Sequence, residues 1–142
     1  MADGNAGDAM GGDEAMIVAG VGFRRSVEAD ELVALVRRAC DQAALAPERL
    51  VRLATVEALA DEPGFQEAAR RLAVEPAAVE GATLRDAAHK TRTHSARSLA
   101  AHGVGSVAEA AALGGAGVGA DLVLARITSP RATCALAKGA TP

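Results

Sequence analysis

Residues 15–26 read Ala-Met-Ile-Val-Ala-Gly-Val-Gly-Phe-Arg-Arg-Ser, and this stretch decides the fold class. A short, unbroken apolar run over 15–21 that ends in glycine predicts a buried strand. A helical pattern then opens at Ser26 and runs to about Leu45. Within it Leu32, Leu35, Val36, Ala39, Cys40 and Ala43 fall on one stripe. A buried strand feeding an amphipathic helix is the unit from which layered α/β domains are built.

Working outward, the unit repeats. Residues 50–56, Leu-Val-Arg-Leu-Ala-Thr-Val, predict a second strand. Pro63 opens a helix that reaches Ala73, proline being at home in a first helical turn. Residues 74–80 predict a short edge strand, because Pro76 cannot donate to a ladder. A short helix is expected near Leu84–Ala88, a loop over Thr91–Ser95, and another short helix after it. Ser106 is a good N-cap and Glu109, three residues on, completes a capping box. That helix should stop at Gly114–Gly115. Strands at 121–127 and 132–137 follow, joined tightly by Ser129-Pro130-Arg131 into a hairpin. The expected architecture is a single three-layer α/β/α domain over 15–142, with a mixed sheet of about five strands. Residues 1–14, rich in Gly, Asp and Ala without a period, are expected to form a disordered tail.

Composition narrows the function. The 142 residues contain two Phe and no Tyr or Trp, so the core must rest on Ala, Val and Leu. A platform of several aromatic rings for stacking bases is excluded, which argues against nucleic acid. Asp3, Asp8, Asp13 and Glu14 carry four negative charges unopposed. Removing them from the total of −3 leaves +1 over residues 16–142, compatible with an anionic ligand. Cys40 and Cys134 form no Cys-x-x-Cys pair, and no apolar stretch approaches a membrane span. A cytoplasmic protein without membrane association is the expectation.

Several stretches could meet a ligand. Gly20-Val21-Gly22-Phe23-Arg24-Arg25 lies at the C-terminal end of the first strand, where open α/β sheets bind ligands. Gly20 and Gly22 let backbone come close and offer N–H donors, while Arg24 and Arg25 can grip carboxylates or phosphates in pairs of hydrogen bonds. The Gly-x-Gly also opens a dinucleotide fingerprint, but Arg25 stands where the third glycine belongs; a plain tight turn with two solvated arginines is the equal alternative. Thr55 ends the second strand and could face the same crevice. Glu57, Asp61 and Glu62 would suit acid–base work if buried, although charge-matching the next helix N-terminus explains Asp61 and Glu62 more simply. The basic segment Thr91–Arg97 offers Thr93 and Ser95 on a loop that could cover an anion. His89, His94 and His102 are spaced five and eight apart, matching no metal-ligand motif. Gly105 and Ser106 lead into a helix N-terminus, a natural anion site, although ordinary capping needs no ligand and is the safer reading. Cys134, inside an apolar strand, is better read as packing than as a nucleophile. No catalytic residue is assigned, and the residues call for neither a cofactor nor a resident metal.

The order of these segments resembles the CobE/CbiG C-terminal family of cobalamin biosynthesis. Gly20–Arg25 is similar to its G-x-G-x-R-R opening. Ala54-Thr55 with Asp61-Glu62-Pro63-Gly64 resembles its A-T…D-E-P-G segment, and Thr93-His94-Ser95 its T-x-S loop. Gly105–Leu113 resembles its S-V-A-E-A-A-A-L helix, and Arg131–Ala137 its closing strand. The likeness covers about 16–138. Leu59 stands where the family often carries a lysine. The resemblance implies a protein that binds or processes a precorrin or corrin tetrapyrrole as a carrier or accessory, with other corrin-pathway enzymes as further partners. An enzyme acting on the ring, like the CbiG hydrolase that opens the lactone of cobalt-precorrin-5A, is the alternative. The substrate-binding set expected is Gly20, Gly22, Arg24, Arg25, Thr55, Thr93, Ser95, Gly105 and Ser106. Precursor rings fringed with acetates and propionates suit arginines, free N–H groups and small apolar contacts.

Overall fold

Ile17–Phe23 forms the central strand, β1, with residues 17–22 buried. In the computed structural model, which describes residues 16–102 and 105–140, four more strands join it: β2 (Leu50–Val56), β3 (Glu75–Val79), β4 (Asp121–Thr128) and β5 (Ala132–Lys138). Their order is β3-β2-β1-β5-β4. β1, β2 and β3 run parallel, with Ala19 opposite Leu53 and Ala54 opposite Ala77. β5 pairs antiparallel with both β1 and β4. The mixed five-stranded sheet matches the expected fold class, and the hairpin closes through Ser129 N–H donating to the Ala132 carbonyl at 2.8 Å.

Each face of the sheet carries its own core. Helices α1 (Ala29–Gln42) and α2 (Pro63–Leu72) cover one face, where Leu32, Leu35, Val36 and Phe65 meet Leu53 and Leu136. Helix α5 (Val107–Ala116) covers the other, with Ala108, Ala111 and Ala112 against Val18, Ala54 and Ala135. Two short helices, α3 (Gly81–Asp86) and α4 (Ala96–His102), connect β3 to α5. Lacking large aromatics, the chain builds the α5 core from small side chains at close range. A Cβ on Gly20 would lie within 3.0 Å of three backbone atoms of α5, from Ala108 and Ala112. Because α5 is buried on nearly every side, it lacks an amphipathic stripe.

Several expectations need correction. α1 begins at Ala29, not Ser26, because residues 24–27 form a turn in which Val27 N–H reaches the Arg24 carbonyl. α5 does not stop at Gly114–Gly115. Those glycines sit inside the helix because Val79 and Thr83 press on Gly114, and Ala54 and Val18 on Gly115; a Cβ at either would lie 2.9 Å from its nearest neighbour. The helix ends at Gly117, whose φ of 98° suits glycine. At that end Arg52 donates to the Gly115 carbonyl at 2.7 Å. The expected tail at 1–14 lies outside the described residues.

Candidate functional site

An antiparallel β5 beside a parallel β1 brings the end of one strand to the start of the other. Phe23 pairs with Ala132, and Arg24 N–H donates to the Arg131 carbonyl at 3.0 Å. A cavity of about 310 Å³ opens there. Gly22, Phe23 and Arg24 bound it from β1, Val107 from the first turn of α5, and Leu59 from the turn after β2. The start of α4 contributes Ser95 and Arg97, and the β4–β5 hairpin contributes Arg126 and residues 128–133.

Four arginines from three separate segments therefore line one cavity: Arg24, Arg97, Arg126 and Arg131. Arg131 has a partner at the rim, its guanidinium lying 3.6 Å from Glu31. Glu31 also accepts from the Ser129 hydroxyl and from Arg131 N–H. The Ser129 bond foremost, then Arg131, holds its carboxyl below the usual carboxylate range. Among the described residues no carboxylate pairs with the guanidinium of Arg24, Arg97 or Arg126.

Among the described residues one carboxylate, Glu109, is fully buried, and it contacts the backbone of the cavity-lining Arg126. The N-cap forms as expected, with Glu109 N–H donating to Ser106 Oγ at 3.2 Å. The other half of the capping box does not form, because the Glu109 side chain turns away. Oε1 accepts from the N–H groups of Arg92 (2.6 Å) and Thr93 (2.9 Å). Oε2 accepts from Thr93 Oγ1 (2.7 Å) and Arg126 N–H (2.8 Å). Burial alone would raise its pKa, but these donations outweigh it and the net shift is downward. Arg126 N–H is free to donate because β4 carries an extra residue between Leu124, opposite Leu136, and Ile127, opposite Cys134. Such bulges re-aim side chains beside sites.

Of the residues expected to bind, Gly22, Arg24 and Ser95 line the cavity. Gly20 does not; it faces α5, which leaves no room for a side chain there. Thr55 is fully buried and donates to the Val21 carbonyl at 2.7 Å, so its hydroxyl ties β2 to β1. Arg25 turns away to Glu62 (2.8 Å) and the Ala58 carbonyl (3.1 Å). Thr93, Gly105 and Ser106 support the loop and the helix start: Ser95 N–H donates to the Gly105 carbonyl at 2.7 Å, and a Cβ on Gly105 would meet the Thr93 carbonyl. Arg126 and Arg131 also line the cavity, although nothing in their local sequence marks them as site residues. The hairpin dipeptide Pro130-Arg131 was visible, but that it folds against the end of β1 depends on the strand order. Cys134 is buried and its thiol is pushed above its ordinary range, chiefly by burial.

Fold and site together define a mixed α/β domain with an arginine-lined cavity at the end of its central strand. The model of the cobalamin synthesis G C-terminal family matches residues 17–137, and the chain belongs to that family. It is 41% identical over 125 residues to protein CobE of Sinorhizobium sp, covering 88% of this chain and 81% of that one. Its fold is similar to the crystal structure of CobE, a protein from the cobalamin (vitamin B12) biosynthetic pathway, with a TM-score of 0.82 and 36% identity over 90% of this chain and 93% of that one. It is also similar to the cobalamin biosynthesis protein chiG from Agrobacterium tumefaciens, with a TM-score of 0.69 and 38% identity over 87% and 98% of the two chains. No helix among the described residues is long and apolar enough to cross a membrane.

Proposed function

We propose that the cavity binds a precorrin or corrin intermediate of cobalamin biosynthesis by its peripheral carboxylates, and that the protein acts as a carrier or accessory to corrin-ring enzymes. The observation that carries this reading is the convergence of Arg24, Arg97 and Arg126, without carboxylate partners among the described residues, on one cavity. Guanidinia that pair with no carboxylate among the described residues favour a ligand that brings several carboxylates of its own. Gly22, Leu59, Val107 and Ala132 supply the small apolar surface that a ring edge would contact. A volume of about 310 Å³ is at the low end of what holds a drug-sized molecule, so the ligand enters by one edge and its remainder extends outward. A carrier that hands its cargo to an enzyme benefits from such partial enclosure.

The test is titration with cobyrinic acid, a corrin with free carboxylates, followed by its visible absorbance. Cobinamide, in which all of those carboxylates are amides, serves as the control. Cobyrinic acid should bind at least about ten-fold more tightly, and Arg24→Ala should remove about 1–3 kcal/mol, as expected for a charge-assisted pair. Equal affinity for both corrins, or undiminished binding by Arg24→Ala, would sink the proposal. A change in the mass of a pathway pigment on incubation with the protein would favour the ring-modifying enzyme over the carrier.

A further inference from the structure

We infer that Glu109 is the positioning residue of the cavity: its buried carboxylate holds Arg126 and the 91–95 loop where their neighbours can meet the ligand. This inference rests on the carboxylate-binding reading of the cavity. Glu109 does not itself line the cavity, yet two other segments, one lining it and one leading into its lining, meet at its two oxygens, and its own helix supplies a third wall. Val107 precedes it in the first turn of α5. Arg126, whose N–H it accepts, lines the cavity from the β4 bulge. Arg92 and Thr93, whose N–H groups it also accepts, lead directly into Ser95 and Arg97.

The chemistry is poorly suited to a purely stabilising role. Burying a carboxylate is costly, and an apolar residue of like volume would serve packing at least as well. Ser106 already caps α5, so the helix does not need this side chain for its N-terminus. What four converging donors do provide is a single geometry, since each backbone N–H must point at a fixed oxygen. That geometry sets the bulge at Arg126, a residue the β4–β5 ladder leaves out of register. The same interaction keeps Glu109 ionised, and its negative charge lies behind a cavity lined by cations.

Glu109→Gln separates the partners. The amide oxygen can replace Oε1 and keep the Arg92 and Thr93 N–H groups. The amide nitrogen then replaces Oε2, where the Thr93 hydroxyl can rotate to accept but the Arg126 N–H cannot. E109Q therefore releases Arg126 in particular. With cobyrinic acid as the probe, E109Q and R126A are each expected to weaken binding about ten-fold, and the double variant no more than either alone, because residues acting as one unit are not additive. In an R24A background E109Q should still cost its full ten-fold, since Arg24 makes no contact with Glu109. A general loosening of the fold would instead make E109Q reduce binding by the same factor in the R126A background as in the R24A background, and that result overturns the inference. So does normal binding by E109Q. If R24A, R97A and R126A all bind as the unaltered protein does, the cavity reading fails; if they weaken binding while E109Q does not, only the role of Glu109 fails. Should E109Q not fold, Thr93→Val, which removes one donor from the same carboxylate, carries the test. It should weaken binding about three-fold alone and not at all in an R97A background; full binding by T93V, or an undiminished effect in R97A, overturns the inference.

Discussion

Gly20→Ala adds one methyl group to the middle of β1, and the consequence can be worked out from what surrounds it. The new Cβ would lie within 3.0 Å of the Ala108 carbonyl oxygen, the Ala112 nitrogen and the Ala112 Cα, all backbone atoms of α5. Ordinary carbon contacts are about 3.5–4.0 Å, and the nearest of these atoms would lie at 2.2 Å, so the helix would have to retreat by more than about an ångström. No flexible side chain can absorb the clash. Retreat of α5 loosens Ala108, Ala111 and Ala112 against Val18, Ala54 and Ala135. Overpacking a core costs about 1–3 kcal/mol, and a clash against helix backbone belongs at the upper end or beyond. The lower chain entropy of alanine returns at most about 1 kcal/mol. A net loss near 3 kcal/mol should lower the melting temperature by roughly 10–15 °C in a domain of this size. Thermal unfolding followed by far-UV circular dichroism measures it. Gly22→Ala is the comparison: there a Cβ would meet only the Thr133 and Val107 side chains, at 3.0 and 3.3 Å. It should cost about 1 kcal/mol or less while intruding on the cavity. An unchanged melting temperature for Gly20→Ala would refute the assignment of Gly20 to packing and return it to the ligand.

Arg25→Ala should leave binding of cobyrinic acid intact and cost about 0.2–1 kcal/mol, because its ion pair with Glu62 is exposed; weaker binding in that titration would show that Arg25 turns to the ligand. Stability should fall with acidification below the ordinary carboxylate pKa of 4.5. Glu109 has a lower pKa folded than unfolded, so the unfolded chain takes up the proton first, and the stabilisation present at neutral pH is lost as pH falls through the folded value. Urea titrations from pH 6 to 3 should show a shallower acid decline in E109Q, and identical slopes would mean that Glu109 is not ionised in the folded protein. Cys40 and Cys134 are both buried, and burial raises both thiols. A chromogenic disulfide reagent should therefore label neither until the protein unfolds; prompt labelling of the native protein would show that this core opens.

The sequence carried more of the fold than of the site, for identifiable reasons. Periodicity and punctuation located β2 at 50–56 and the Ser129–Arg131 hairpin, because those signals are local. Gly114–Gly115 misled because glycine both ends helices and admits close packing inside them, and only the neighbouring side chains decide which. Thr55 was correctly placed near a strand end, but its hydroxyl is occupied by the Val21 carbonyl of the adjacent strand, a pairing absent from the linear order. Arg24 and Ser95, which line the cavity, were legible as candidates because they lie on glycine-flanked or polar loops. Arg126 looked like one residue of an ordinary strand; the bulge that turns it to the cavity depends on Glu109, 17 positions earlier. The capping-box spacing marked Glu109 as a helix-start residue, whereas its actual partners belong to two other segments.

The interior position of β5 bears on how the chain reaches this structure. β5 separates β1 from β4, so the sheet centre is completed by the last strand rather than the first. Thr133 meets Gly22 across 111 positions of sequence. Loop-closure entropy must be met before such pairing is rewarded, which slows folding. Until β5 arrives, one edge of β1 remains an open row of N–H and carbonyl groups, free to pair with another chain. A nascent or truncated chain ending after α5 would expose that edge together with the half of the cavity formed by Gly22, Arg24 and Val107. Aggregation of such fragments is the hazard this topology carries, and the same closing event that removes it also creates the binding site.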